Sequence, residues 1–168
     1  MIYFNCRIKG RGGINDFMKI AEALILRADL QKRLEQIRAR LYNNVLIQEG
    51  EEPSEQPGDL LKEFQGVQKN LKELIKVINQ TNHQSSFNDE LTIAEALVER
   101  DALLSQRNLY LQAAERASEK QDRYSRTEIK SVSTIDVKEF QKKADDLAKK
   151  YRQLDTKIQG LNWNIDLI

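Results

Sequence analysis

The sequence predicts an all-α protein made of two antiparallel helical hairpins, and three observations carry that prediction. Apolar residues recur three and four apart along four long stretches, the spacing of one face of a helix. The run Ile20-Ala21-Glu22-Ala23-Leu24 returns unchanged as Ile93-Ala94-Glu95-Ala96-Leu97, with Arg27 and Arg100 at the same offset behind it. Such self-similarity at long spacing marks one structural unit used twice. Finally, charged residues make up 32% of the chain against two prolines and seven glycines, which is the balance of long helices rather than of strands and turns. The hairpin repeats cover residues 18–82 and 91–168. They either close into a duplicated four-helix bundle or extend as coiled-coil arms that pair with another chain, a coiled-coil oligomer.

Length and charge bound the rest. With 168 residues the chain fits one domain. A formal net charge of +1 gives no global attraction to nucleic acid or an anionic membrane. Cys6 is the single cysteine and His83 the single histidine, so neither an internal disulfide nor a zinc site is expected. No apolar run approaches a membrane span, and charge at Arg7 interrupts the start before a secretory segment can develop. A cytoplasmic protein is expected.

Residues 1–17 lack helical periodicity and are rich in glycine at Gly10, Gly12 and Gly13. Arg11-Gly12-Gly13 can be encoded by purine-only codons shortly before Met18. Two readings follow, a translated leader ahead of a natural start at Met18 or a flexible N-terminal arm.

The first helix is expected over residues 18–48, with Ile20, Ala23, Leu24, Leu30, Leu34, Ile37, Leu41 and Val45 on one face and a length on the order of 45 Å. Residues 48–58 hold both prolines and four glutamates, and read as a solvated turn. A second helix, residues 59–82, steps through Leu60, Phe64, Val67, Leu71, Leu74 and Ile78. After a polar connector, Thr92-Ile93-Ala94-Glu95 forms a capping box that opens the third helix, expected to run to about residue 121. Asp136, with Glu139 three residues on and Ile135 set to staple onto Phe140, opens the fourth. Its seam of Phe140, Ala144, Leu147, Tyr151, Leu154, Ile158 and Leu161 is expected to continue in register through Ile165 and Ile168. Leu24, Ile25 and Leu26 cannot all face one seam, which implies a second covered surface and hence a homo-oligomer.

No cofactor or catalytic signature is present: phosphate-loop and dinucleotide glycine spacings, the Gly-x-Ser-x-Gly elbow and the Glu-x-x-His pairs of a di-iron bundle are all missing. Two features remain. Arg27, Arg100 and Arg107 fall on seam positions, where an arginine needs a carboxylate or a route to water. They form either a polar site inside the bundle or a register-fixing polar layer. The long connector 122–135 offers Arg123, Tyr124, Ser125, Arg126 and Lys130, cationic and hydroxyl donors suited to an anion. Its β-branched residues from Thr127 onward suit packing or assembly instead. The apolar end around Trp163 is expected to be covered by the bundle or a neighbouring subunit.

Residues 18–24, 27–31, 121–126 (Gln121-Asp122-Arg123-Tyr124-Ser125-Arg126), 132–134, 144–148 and 161–163 resemble a family of small bacterial proteins labelled septicolysin. The resemblance implies an all-helical fold opening at Met18 and, from the label, a cytolysin. Taken together, the residues point to a self-associating helical interaction or scaffold protein. Anion or nucleic-acid binding through the 122–135 connector and membrane lysis are the alternatives.

Overall fold

Each helix begins where a side chain or a proline takes care of free backbone N–H groups. In the computed structural model, which describes residues 18–118 and 132–168, these are α1 (Ile20–Asn44), α2 (Pro57–Gln84), α3 (Ile93–Ser118) and α4 (Val137–Asn162). The Lys19 amide donates to Glu22 Oε2 at 2.8 Å, and the Thr92 amide to Glu95 Oε2 at 2.8 Å. In the expected capping box, the Glu95 amide also donates back to Thr92 Oγ1 at 3.3 Å. Asp136 Oδ1 accepts from the Lys138 and Glu139 amides, as an N-cap should. Pro57, expected to lie in the turn, is instead the first residue of α2, because the N–H it lacks would have had no helical partner there.

Two expected ends are corrected. Helix α1 stops at Asn44, short of residue 48: Asn44 Nδ2 donates to the Arg40 carbonyl at 2.9 Å, while its Oδ1 accepts from Ser54 Oγ and the Glu55 amide. The side chain thus ties the helix end to the far side of the turn. Helix α4 stops at Asn162, so Ile165 and Ile168 do not prolong its register. The chain turns back there, and Leu167 donates to the Met18 carbonyl at 2.8 Å.

Contacts are dense within the pairs α1/α2 and α3/α4, sparse for α2/α3 and α1/α4, and missing on the diagonals. The hairpins therefore meet only near a shared base. A cluster of Ile20, Phe87, Ile93, Ala96 and Ile158 joins both hairpins there, with Leu24, Leu154 and Ile165 packed against it. Ala23, Leu74 and Ile78 continue the core into the first hairpin, and Leu34, Ile37, Leu60 and Val67 line its outer half. Each fully buried isoleucine contributes about 1.5–3 kcal/mol by leaving water.

The duplication extends beyond the repeated sequence. Ile20 and Ile93 are both fully buried, as are Ala23 and Ala96, and Ile78 and Ile158 occupy matching places on α2 and α4. The connector between the hairpins is matched by the two ends of the described chain. The Ile93 amide donates to the Ser85 carbonyl at 2.9 Å, and the Ile20 amide to that of Ile165 at 3.0 Å. Phe87 donates to the Leu91 carbonyl as Leu167 does to that of Met18, both at 2.8 Å. An isolated antiparallel bridge accompanies each set, Ser86 with Thr92 and Lys19 with Asp166.

Candidate functional site

The arginine layer separates into unlike members. Arg100 Nη2 donates to Asp101 Oδ1 at 2.7 Å, and its Nη1 lies 3.5 Å from Asp155 Oδ1 on α4. Burial pulls the Arg100 pKa down, but hydrogen bonding to Asp101 and the fields of Asp101 and Asp155 outweigh it and leave the guanidinium above its ordinary value. Arg107 turns to its neighbour, Nη1 donating to Asn108 Oδ1 at 3.0 Å. Arg27 occupies the place in the first hairpin that Arg100 holds in the second, yet its Nε is buried without a hydrogen-bond partner among the described residues. The duplication supplies the reason: the position of Asp155 on α4 is taken by Ile75 on α2, and that of Asp101 by Ala28.

The far end of the first hairpin is the other distinctive place. Arg40 chelates Glu55, Nε to Oε2 at 2.8 Å and Nη2 to Oε1, and its Nη1 reaches Glu63 Oε2 at 3.4 Å. The hydrogen bond from Arg40 holds the Glu55 carboxyl below its ordinary value, and the same contact raises Arg40. With the Asn44 clamp, this network fixes both sides of the 45–55 loop. Outside the clamp stand Tyr42, Val45, Leu46 and Ile47, all exposed, with Leu46 87% accessible. An open depression lies beside Leu46, Ile47, Glu51, Glu52 and Pro53.

Sequence reasoning places Val45, Leu46 and Ile47 on a continuing helix, with Val45 in its seam, whereas all three lie in the loop past Asn44. The signal that would have found them is Asn43-Asn44 followed by three consecutive aliphatic residues, which no single helical face can hold.

Of the three crowded aliphatics in α1, Leu24 and Leu26 are packed and Ile25 stands 55% exposed. Its counterpart in α3, Val98, is 71% exposed. The chain's own bundle does not cover Trp163, which is 58% exposed: as the C-cap of α4 it sits where the chain turns, and Ile165 and Leu167 make the docking contacts within the chain. Arg123, Tyr124, Ser125, Arg126 and Lys130 lie outside the described residues, as do residues 1–17. Among the described residues no group of acidic, histidine or cysteine side chains is arranged to hold a metal ion, and no helix is long and apolar enough to cross a membrane.

Fold and surfaces together define an all-α protein of two paired helical hairpins, with polar clamps and exposed apolar side chains among the described residues. The model of the family of unknown function DUF6847 matches residues 27–167, and the chain belongs to that family. It is similar over 90% of its length to a functionally unknown conserved protein from Corynebacterium diphtheriae, whose crystal structure is covered to 99% at 44% identity with a TM-score of 0.83. No curated protein matches the chain. The resemblance to septicolysin is thereby corrected: family and structural neighbour alike carry no such relation, and the cytolytic expectation falls with the label. Many of the residues behind it, such as Ala144 and Leu147, are seam residues that helical bundles share for packing reasons alone.

Proposed function

We propose that the chain is a self-associating helical interaction protein whose two hairpins act as docking arms on a common base. One observation carries the reading. Helix α3 buries only Ile93, Ala96 and Ala114, and α4 only Ala144, Ile158 and Asn162. Leu103, Leu104, Tyr110, Leu111, Phe140, Leu147 and Tyr151 are left half-buried along the seam of the second hairpin. Two helices alone cannot enclose such a seam, and a further apolar surface would complete it.

Light scattering of the full chain at micromolar concentration tests this. The expected mass is an integral multiple of the chain mass, falling on dilution; a monomer at every concentration would overturn the reading. A cytoplasmic setting goes with it, where a lone cysteine stays reduced.

A further inference from the structure

We propose that the far end of the first hairpin is the docking end for a second copy of this chain, and that it receives the cationic stretch Arg123 to Lys130 of that copy. This rests on the self-association reading and names the surfaces that meet.

Three observations converge on the end itself. Val45, Leu46 and Ile47 are consecutive and all exposed, the sole run of three large apolar side chains in solvent among the described residues. Water contact over such a patch is unfavourable, and patches of this kind mark association sites. The patch is also held in place before any partner arrives. Asn44, itself buried, grips Ser54 and the Glu55 amide across the loop, and Arg40 chelates Glu55. A loop already ordered loses little entropy on docking.

Charge selects the occupant. Residues 45–58 contain Glu49, Glu51, Glu52, Glu55 and no lysine or arginine, and Arg40 neutralises only Glu55. A partner must therefore bring apolar groups with cations among them. The chain's own sequence offers this in Arg123-Tyr124-Ser125-Arg126-Thr127-Glu128-Ile129-Lys130, three cations against one carboxylate with Tyr124 and Ile129 between them. The self-association reading supplies that stretch from a second copy of the chain.

The test measures the self-association of full-length variants by light scattering and sedimentation, with helicity followed by circular dichroism. Leu46→Glu with Ile47→Glu, two exposed positions, is expected to weaken association at least ten-fold without loss of helix. Reversing Glu49, Glu51 and Glu52 to lysine, or Arg123, Arg126 and Lys130 to glutamate, is expected to do the same. Mixing these two charge-reversed proteins should restore association, since the reversed signs again match.

An oligomer unaffected by Leu46→Glu/Ile47→Glu would overturn this proposal and leave self-association standing. Weakening by that pair but not by reversal of Arg123, Arg126 and Lys130 would overturn the occupant named here, as would a mixture no stronger than its components. A wild-type monomer would overturn both readings.

Discussion

The amide of Ile20 donates to the carbonyl of Ile165 at 3.0 Å, closing the two ends of the described chain onto each other as Ile93 and Ser85 close the middle at 2.9 Å. The equivalence continues through the Leu167–Met18 and Phe87–Leu91 hydrogen bonds, so the base is built from two copies of one closure. In one copy the chain is continuous, and in the other it is split. A circular permutant that joins Ile168 to Met18 through two or three glycines and opens between Asn88 and Leu91 is therefore expected to fold with unchanged helicity. Loss of cooperative unfolding in that permutant would show that the two closures are not interchangeable.

The same symmetry equates two core positions. Ile20→Ala and Ile93→Ala each empty a fully buried site at a helix start and should each cost about 2–5 kcal/mol in urea unfolding. A cost confined to one of them would mean that the halves unfold separately.

At the end of α2, Thr81 is fully buried and its hydroxyl serves two purposes, donating to the Val77 carbonyl at 2.9 Å and accepting the Ile168 amide at 3.1 Å. Thr81→Val keeps the volume but leaves the Ile168 N–H without its acceptor, a loss of about 1–2 kcal/mol. Hydrogen exchange should show it first in residues 165–168, before the helices respond.

Arg27 and Arg100 hold equivalent positions with unequal surroundings. Replacing Arg100 by Met removes the pairing with Asp155 and should destabilise the fold by about 1 kcal/mol. Replacing Arg27 by Met removes a buried Nε that has no partner among the described residues, and should be neutral or stabilising. Urea midpoints that move the opposite way would show that Arg27 meets an anion.

Acid should loosen the protein at two identified places. Hydrogen bonds from the Thr92 amide and hydroxyl, with the field of His83, hold Glu95 below its ordinary value of 4.5, and the hydrogen bond from Arg40 does so for Glu55. Because both carboxyls bind protons less readily when folded, the stability they give is complete above pH 4.5 and is lost as the pH falls through their lowered folded values. Glu95→Gln and Glu55→Gln should therefore flatten the fall in urea midpoint below pH 4.5 and leave the profile near neutrality parallel to that of the wild type.

Much of the fold was legible because it is local. The Thr92–Glu95 box, the Asp136 cap and the stripe from Leu60 to Ile78 depend on residues within a turn or two of each other, and each is where the spacing predicts. The repeated Ile-Ala-Glu-Ala-Leu run likewise announced the duplication. The candidate surfaces were less legible. Val45, Leu46 and Ile47 lie past a helix end set by Asn44, whose partners Ser54 and Glu55 are ten and eleven residues away around a turn.

What the sequence alone determined, then, is the number and order of the helices, the caps that open α3 and α4, and the pairing into two alike halves, since periodicity and capping are near-neighbour physics. The tertiary structure decided that the tail leaves the α4 register to pair with Met18 and Ile20, that Ile165 and Leu167 rather than Trp163 dock on the chain's own bundle, and that Arg100 finds Asp155 while Arg27 finds no acceptor for its Nε among the described residues. Each of these depends on residues far apart in the chain that meet only after the hairpins share a base. No local spacing can encode which of them arrive.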